Sequence, residues 1–258
     1  MHTDVLERRF AAIGARVKVI RETRRDSVRI DVASDRRGEF FELRVDARRA
    51  SYEVVEVDKD ERCALLLVRE GADRSKFLCG FDERHWFVAA IPESAAAVRG
   101  IVSAREALQP EAVREAVARV RPRDPFRRRN AAYVRQGEWF FLPRRSLIVD
   151  EADVLRNEPL SRGRGKDHLL EFAFRRGGET VFVNAEHPSG MSLAEFERLS
   201  PAKQRRGLWR EMVRDPELYA TGSVRHPDHN TIVLYGWHRV LMNTEQSARA
   251  MRHVAFLD

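Results

Sequence analysis

Between residues 16 and 91 the chain carries seven short runs of strand character, packed too closely to leave room for a helix. They are RVKVI (16–20), SVRIDV (27–32), EFFELRV (39–45), SYEVVEV (51–57), RCALLLV (62–68), KFLCG (76–80) and HWFVAAI (85–91). Each is rich in β-branched or aromatic residues, which suit a pleated surface. Charged or turn-forming segments such as SDRRG and DKDER separate them. Starts spaced by about eight to twelve residues imply an antiparallel meander. A short amphipathic helix precedes it: DVLERRFAAI sets Val5, Phe10 and Ile13 on one side and stops at Gly14. After the last strand run, residues 94–120 return to helical spacing, with Pro110 near the start of the final helix.

RPRDPFRRRN (121–130) interrupts this order. Pro122 and Pro125 disfavour regular structure, and the arginines repel one another and hold the segment in solvent. Three parts follow: a β-meander and helix domain at 1–120, a basic linker at 121–131, and a second β-rich domain at 132–258. In that domain YVRQGEWFFLP (133–143) is too short for a helix and suits a buried strand. HLLEFAF (168–174) and TVFVNAEH (180–187) read as a hairpin joined by RRGGE. Residues 192–213 read as a helical insertion, with Ser192 and Glu195 forming a capping box. YATGSV and TIVLYGWHRVLM close the domain as strands, with Tyr235-Gly236 as a tight turn. The expected fold class is therefore β-rich α+β, its C-terminal domain barrel-like or a sandwich.

Charge narrows the choice of partners. The net charge is +7, and it is uneven: 23 basic against 22 acidic residues up to position 120, then 24 against 18 beyond it. An anionic partner would meet the second half. Only five of the 47 basic residues are lysine, so arginine dominance of the whole composition competes with recognition as the cause. No window approaches the roughly 18 to 20 apolar residues of a membrane span. The opening MHTDVLERRF lacks the apolar segment of a signal peptide, so the expectation is a cytoplasmic protein with no membrane partner. Cys63 and Cys79 lie in apolar runs and are expected to be reduced, buried thiols.

Six of the eight histidines fall in the second half. Strand alternation puts His168 on a face with Leu170, Phe172 and Phe174, His187 with Val181 and Val183, and His238 with Val240 and Met242. His226 and His229 sit in a loop. Converging imidazoles suit a divalent transition metal, and the candidate ligands are His168, His226, His229 and His238. The competing reading of each is a hydrogen-bonded core histidine. His226 and His229 are also candidates for acid and base, or for phosphate contact. Pro227 and the lack of H-E-x-x-H exclude the helical metalloprotease pattern. No G-x-S-x-G, dinucleotide fingerprint or Walker motif is present, and Asp82, Glu83 and His85 in FDERHWF read as turn and surface residues.

Two resemblances touch this half. In GWHRVLMN, Gly236, His238 and Asn243 stand where the second cupin signature places its glycine, histidine and asparagine. GKDHLLE offers only His168 and Glu171 toward the first signature, one ligand short. YVRQGEWFFLP, GRGKDH and HPDHNTIVLYGWHRV together resemble an uncharacterised bacterial group. That group has an R-Q-G-[DE] strand, a glycine-rich segment with histidine, and an H-x-x-H before a hairpin. The resemblance spans most of 133–245 and implies a shared β-fold without an activity.

Three basic clusters complete the reading: Arg127, Arg128 and Arg129; Arg162, Arg164 and Lys166; Lys203, Arg205 and Arg206. Trp209 and Trp237, the latter beside Arg239, can stack on unpaired bases. The leading expectation is a protein that binds RNA or single-stranded DNA through its second half. The alternatives are a metal-dependent enzyme, cupin-like or hydrolytic, and a subunit that docks on other proteins.

Overall fold

The structure, a computed structural model, describes residues 3–22, 29–46, 50–161 and 166–247. Helix α1 (Thr3–Ala11) leads into β1 (Val17–Glu22), β2 (Arg29–Asp35) and β3 (Gly38–Asp46), and then β4 (Ala50–Asp58), β5 (Cys63–Glu70), β6 (Asp73–Asp82) and β7 (His85–Ile91). All seven expected strands form. The meander holds for β4-β5-β6-β7 only. The first three strands make a separate sheet of order β1-β3-β2, in which β1 runs parallel to β3 and the β2–β3 hairpin is antiparallel. Alternation marks a strand but carries no record of its partner, so this crossover was not visible in the sequence.

The two sheets and α1 share a core of Leu6, Phe10, Phe41, Leu43, Leu66 and Phe77. Leu6, rather than Val5, is the deepest residue of the helix face with Phe10. The continuous apolar run of β5 has a direct cause: both of its faces are covered. Ala64 and Leu66 face the first core, and Cys63 and Leu65 pack with Leu78 beneath Ile101, Ala104 and Leu108 of α2 (Ile101–Leu108). Both cysteines are buried free thiols whose pKa burial pushes up.

Helix α3 (Glu111–Val120) starts behind Pro110 and packs Val113 against Tyr133, Phe140 and Leu142, so one core spans the segment 121–131. That segment is fixed by its own polar groups. The Asn130 carboxamide oxygen accepts from the Ala132 and Tyr133 amides, and the Tyr133 hydroxyl donates to the Pro125 carbonyl at 2.7 Å.

The second half supplies β8 (Val134–Gln136), β9 (Trp139–Pro143), β10 (Leu155–Leu160) and β11 (His168–Arg176). An insertion follows with β12 (Glu179–Val183), β13 (Met191–Ser192), α4 (Leu193–Glu197), α5 (Pro201–Arg206) and β14 (Arg210–Arg214). The half ends with β15 (Glu217–His226) and β16 (His229–Met242). Six of these strands form an antiparallel sheet ordered β10-β11-β15-β16-β9-β8 around Phe141, Leu170, Ala173, Ala220 and Val224. The sheet coils without closing into a barrel. Its edge strand β8 reaches back over the β15–β16 hairpin, where the Gln136 carboxamide donates to the Val224 and Asn230 carbonyls at 3.3 and 2.7 Å.

Several local expectations are corrected. Strand β12 pairs with β13 and β14, not with β11, so 168–187 is no hairpin. The Ser192–Glu195 capping box is present, but helix ends at Arg206 and residues 210–214 form a strand. A bulge between Leu170 and Phe172 moves the buried face of β11 onto Ala173. Tyr235-Gly236 is likewise a bulge inside β16, and the turn lies at Pro227-Asp228. Among the described residues no helix is long and apolar enough to cross a membrane.

Candidate metal centre

Hairpin β15–β16 leaves only Pro227 and Asp228 as its loop, so His226 and His229 become direct cross-strand partners. His168 opens β11, next to the end of β15, where Leu169 pairs with Arg225. Three imidazoles from three strand ends are thereby brought together. One ligand nitrogen from each lies within 4.8 Å of the others. The rings of His168 and His226 stack at 4.2 Å, and that of His229 lies 4.8 Å from His226 and 5.7 Å from His168. His168 is 2% exposed, and the other two are half-buried.

A glycine makes room for them. The β8–β9 hairpin turns on Gly137-Glu138, and Gly137 adopts a φ of 56°, which favours glycine. A Cβ at this position would stand 2.9 Å from His229 Nε2 and 3.5 Å from His168 Nε2. Both nitrogens therefore border one small space beside the Gly137 backbone.

The N-terminal half completes the site. The β6–β7 turn reaches the hairpin tip, with Glu83 Oε2 3.7 Å from His229 Nδ1 and accepting the Asn230 amide at 2.7 Å. The Arg84 guanidinium donates to the Asn230 side chain at 3.2 Å. Arg128 bridges Asp82 and Glu83, with Arg135 3.8 Å from Asp82, so two guanidinium groups hold the two carboxylates in place behind the hairpin tip. A carboxylate facing Nδ1 favours the Nδ1–H tautomer of His229 and leaves its lone pair on Nε2. Burial holds the His229 pKa below the ordinary imidazole value, as does nearby His226, while Asp82, Glu83 and Glu138 oppose the shift. The ring is neutral at pH 7 and able to bind a cation.

His226 has a defined tautomer too. Its Nδ1 accepts the Asp228 amide at 3.1 Å, so Nε2 carries the proton and donates to the Lys166 carbonyl at 3.1 Å. A metal on Nδ1 has to displace that amide, whereas the carbonyl contact orients the ring in the manner usual for metal-bound histidine. Around this end of the sheet the polar atoms are unusually poorly paired. Gln136 Oε1 and Trp139 Nε1 are buried without a hydrogen-bond partner among the described residues, and His229 Nδ1 has only the 3.7 Å contact with Glu83. Such groups are rare, and their concentration at one place marks a site built to hold something polar.

Among the candidate ligands His238 stands apart. It lies nine residues beyond His229 in the same strand, roughly 20 Å along it after allowing for the bulge. Its Nδ1–H donates to the Gly236 carbonyl at 2.8 Å. The cupin-like set is not assembled either: Glu171 accepts the Ser223 amide, and Asn243 bonds the Glu138 and Glu245 backbones. His187 stacks on Trp209 in the insertion.

The basic residues are scattered. Arg128 turns inward to Asp82 and Glu83, Lys166 pairs with Asp228 at 2.6 Å, and Arg239 pairs with Glu217 at 2.9 Å. Lys203, Arg205 and Arg206 are exposed at the end of α5, Arg127 is exposed, and Arg129 donates to the Val233 carbonyl. Arg162 and Arg164 lie outside the described residues. Sequence reasoning missed Asp82, Glu83, Gln136 and Gly137. The Gln136-Gly137 pair just ahead of the apolar run at 139–142 was the available signal.

Comparison finds no matching protein family, no matching curated protein and no matching solved structure.

Proposed function

We propose that the protein is a metal-dependent enzyme of the hydrolytic class, centred on His168, His226 and His229. The observation that carries this reading is the convergence of three imidazole nitrogens within 4.8 Å. Three features of the surroundings support it. Glu83 favours the ligating tautomer of His229, the Lys166 carbonyl does the same for His226, and Gly137 leaves the space beside the Nε2 atoms open. An all-imidazole set suits zinc, iron, nickel or copper better than magnesium or calcium, which prefer oxygen. Structural zinc sites use four protein ligands; three leave a position for water or substrate, as catalytic sites do. A bound metal of this kind supplies a Lewis acid and lowers the pKa of a bound water. The chain's own part is to hold three rings in place, with Arg128 fixing Glu83 behind His229.

Elemental analysis of the full chain, purified without chelator, tests this. The expected result is close to one equivalent of a transition metal, lost in His168→Ala. Substitution with cobalt should give visible bands typical of low coordination number. Absence of metal after metal-replete expression, together with no binding of added zinc, cobalt or manganese, would overturn the reading.

A further inference from the structure

At the opposite end of β16 lies a second constellation that the metal centre does not use. Register passes from Gly222↔Leu234 to Ala220↔His238, so Tyr235, Gly236 and Trp237 all stand opposite Thr221 alone. Gly236 takes a φ of 78° to make this wide bulge. Bulges re-aim side chains, and this one leaves Tyr235 84% exposed. Trp237 is held edge-on against Phe174 at 6.2 Å. Its carbonyl accepts the Arg144 amide at 2.8 Å, which fixes the segment after β9 beside it.

The result is a cleft of about 360 Å³ lined by Arg144, Arg145, Tyr235, Gly236, Trp237 and His238. Small-molecule sites begin near this size. Arg144 and Arg145 are exposed and form no ion pair among the described residues. Arg129, bound to the Val233 carbonyl, adds a third positive charge close enough to disfavour protonation of His238. Glu217 pairs with Arg239 at 2.9 Å, and its pKa is held down by the Tyr219 hydroxyl and by the charges of Arg239, Arg176 and Arg144. The His238 Nδ1–H donates to the Gly236 carbonyl, which leaves Nε2 of this 5% exposed ring as the acceptor. Two aromatic rings, two exposed guanidinium groups and one acceptor are complementary to a planar ring that bears donors and is attached to a phosphate.

We propose that this cleft binds a nucleotide unit, the base against Tyr235 and Trp237 and the phosphate on Arg144 and Arg145. Aromatic stacking tolerates any base, and arginine contacts to phosphate carry no sequence information. The unit belongs either to a free nucleotide or to a single strand.

The test is calorimetric titration of the full chain with adenosine 5′-monophosphate, adenosine, inorganic phosphate and a single-stranded dA oligomer. Comparable affinity for the monophosphate and for each site on the oligomer identifies a free-nucleotide site. Binding of the oligomer alone, weakening steeply with salt, identifies a strand site. In either case Tyr235→Ala and the double variant Arg144→Ala/Arg145→Ala each weaken binding by at least about fivefold. His168→Ala leaves binding unchanged, which separates this site from the metal centre. Inorganic phosphate binding as well as the monophosphate overturns the proposal. So does affinity weaker than about 1 mM for every ligand, or unchanged binding in both variants.

Discussion

The two ends of the β15–β16 ribbon are built by opposite means. At the Pro227-Asp228 tip the functional side chains are buried or half-buried, and they depend on groups from distant segments: Glu83 from the N-terminal meander, Gly137 from the β8–β9 turn, His168 from β11. At the bulge Tyr235, Arg144 and Arg145 are exposed above a half-buried Trp237 and a buried His238, and the contributing residues lie in two short stretches, 143–147 and 235–238. The tip suits a small, highly charged ligand that must be desolvated and held by several rigid groups. The bulge suits a larger ligand that adapts to a surface. Substitutions at the tip should therefore damage both binding and folding, while those at the bulge should separate the two.

The largest effect is expected from His168→Ala. It removes a ligand, so metal affinity should fall by more than the roughly 10- to 100-fold that a supporting group is worth. It also leaves a hole at a 2% exposed position, costing about 1–3 kcal/mol in the metal-free protein. Equilibrium unfolding with and without zinc measures both. Gly137→Ala comes next. A Cβ there meets His229 Nε2 at 2.9 Å, and the backbone φ of 56° strains any other residue. The expected cost is about 1–3 kcal/mol of stability with weakened metal binding. If Gly137→Ala binds metal as well as the parent, the Nε2 atoms do not face the metal. Glu83→Gln should lower metal affinity by about 10- to 100-fold while preserving size and shape. An unchanged affinity would mean that Glu83 serves only to join the two halves through Arg128.

Comparing the two ends also explains what the sequence revealed. The seven N-terminal strands were legible because alternation is a local property, and so was the Ser192 capping box. His226 and His229 were legible as a pair because a two-residue turn between them is local as well. Glu83 was read as a surface turn residue; its side chain is only 9% exposed because Arg128 and Asn230, far away in sequence, close over it. His238 was drawn into the metal set by a misplaced turn. Glycine at positive φ serves a turn or a bulge equally well, and only the pairing of β15 with β16 decides between them. The tip was therefore half legible: its ligands were named, but what orients them was hidden in tertiary contacts.

A pH titration of stability reaches both ends. Burial lowers the folded-state pKa of His229 and of His238, with His226 and Arg129 respectively adding to the effect. Below the unfolded imidazole pKa of about 6.5 the unfolded chain takes up protons that the folded chain refuses. Stability supplied by these groups is thus complete above that value and is lost as pH falls toward the folded pKa. Each histidine contributes a slope of up to about 1.4 kcal/mol per pH unit in that window. His238→Gln should flatten the acid limb of the curve of unfolding free energy against pH. A slope identical to the parent's would place the titrating group elsewhere.

The smallest effect is the most telling for the bulge. Tyr235 is 84% exposed, and Gly236 beside it has open space around its Cα, so nothing in the fold depends on the tyrosine ring. Tyr235→Ala should change the unfolding free energy by no more than about 0.5 kcal/mol, the range of ordinary surface substitutions. Trp237→Ala differs because its ring packs edge-on against Phe174, and removing such an aromatic pair costs about 0.5–1.5 kcal/mol beyond the lost buried area. Chemical denaturation of the two variants, run beside the nucleotide titration, separates their roles. A tyrosine that contributes to ligand binding but not to stability belongs to a recognition surface. If Tyr235→Ala instead destabilised the fold as much as Trp237→Ala, the ring would be part of the packing, and the exposed end of the ribbon would resemble the buried one after all.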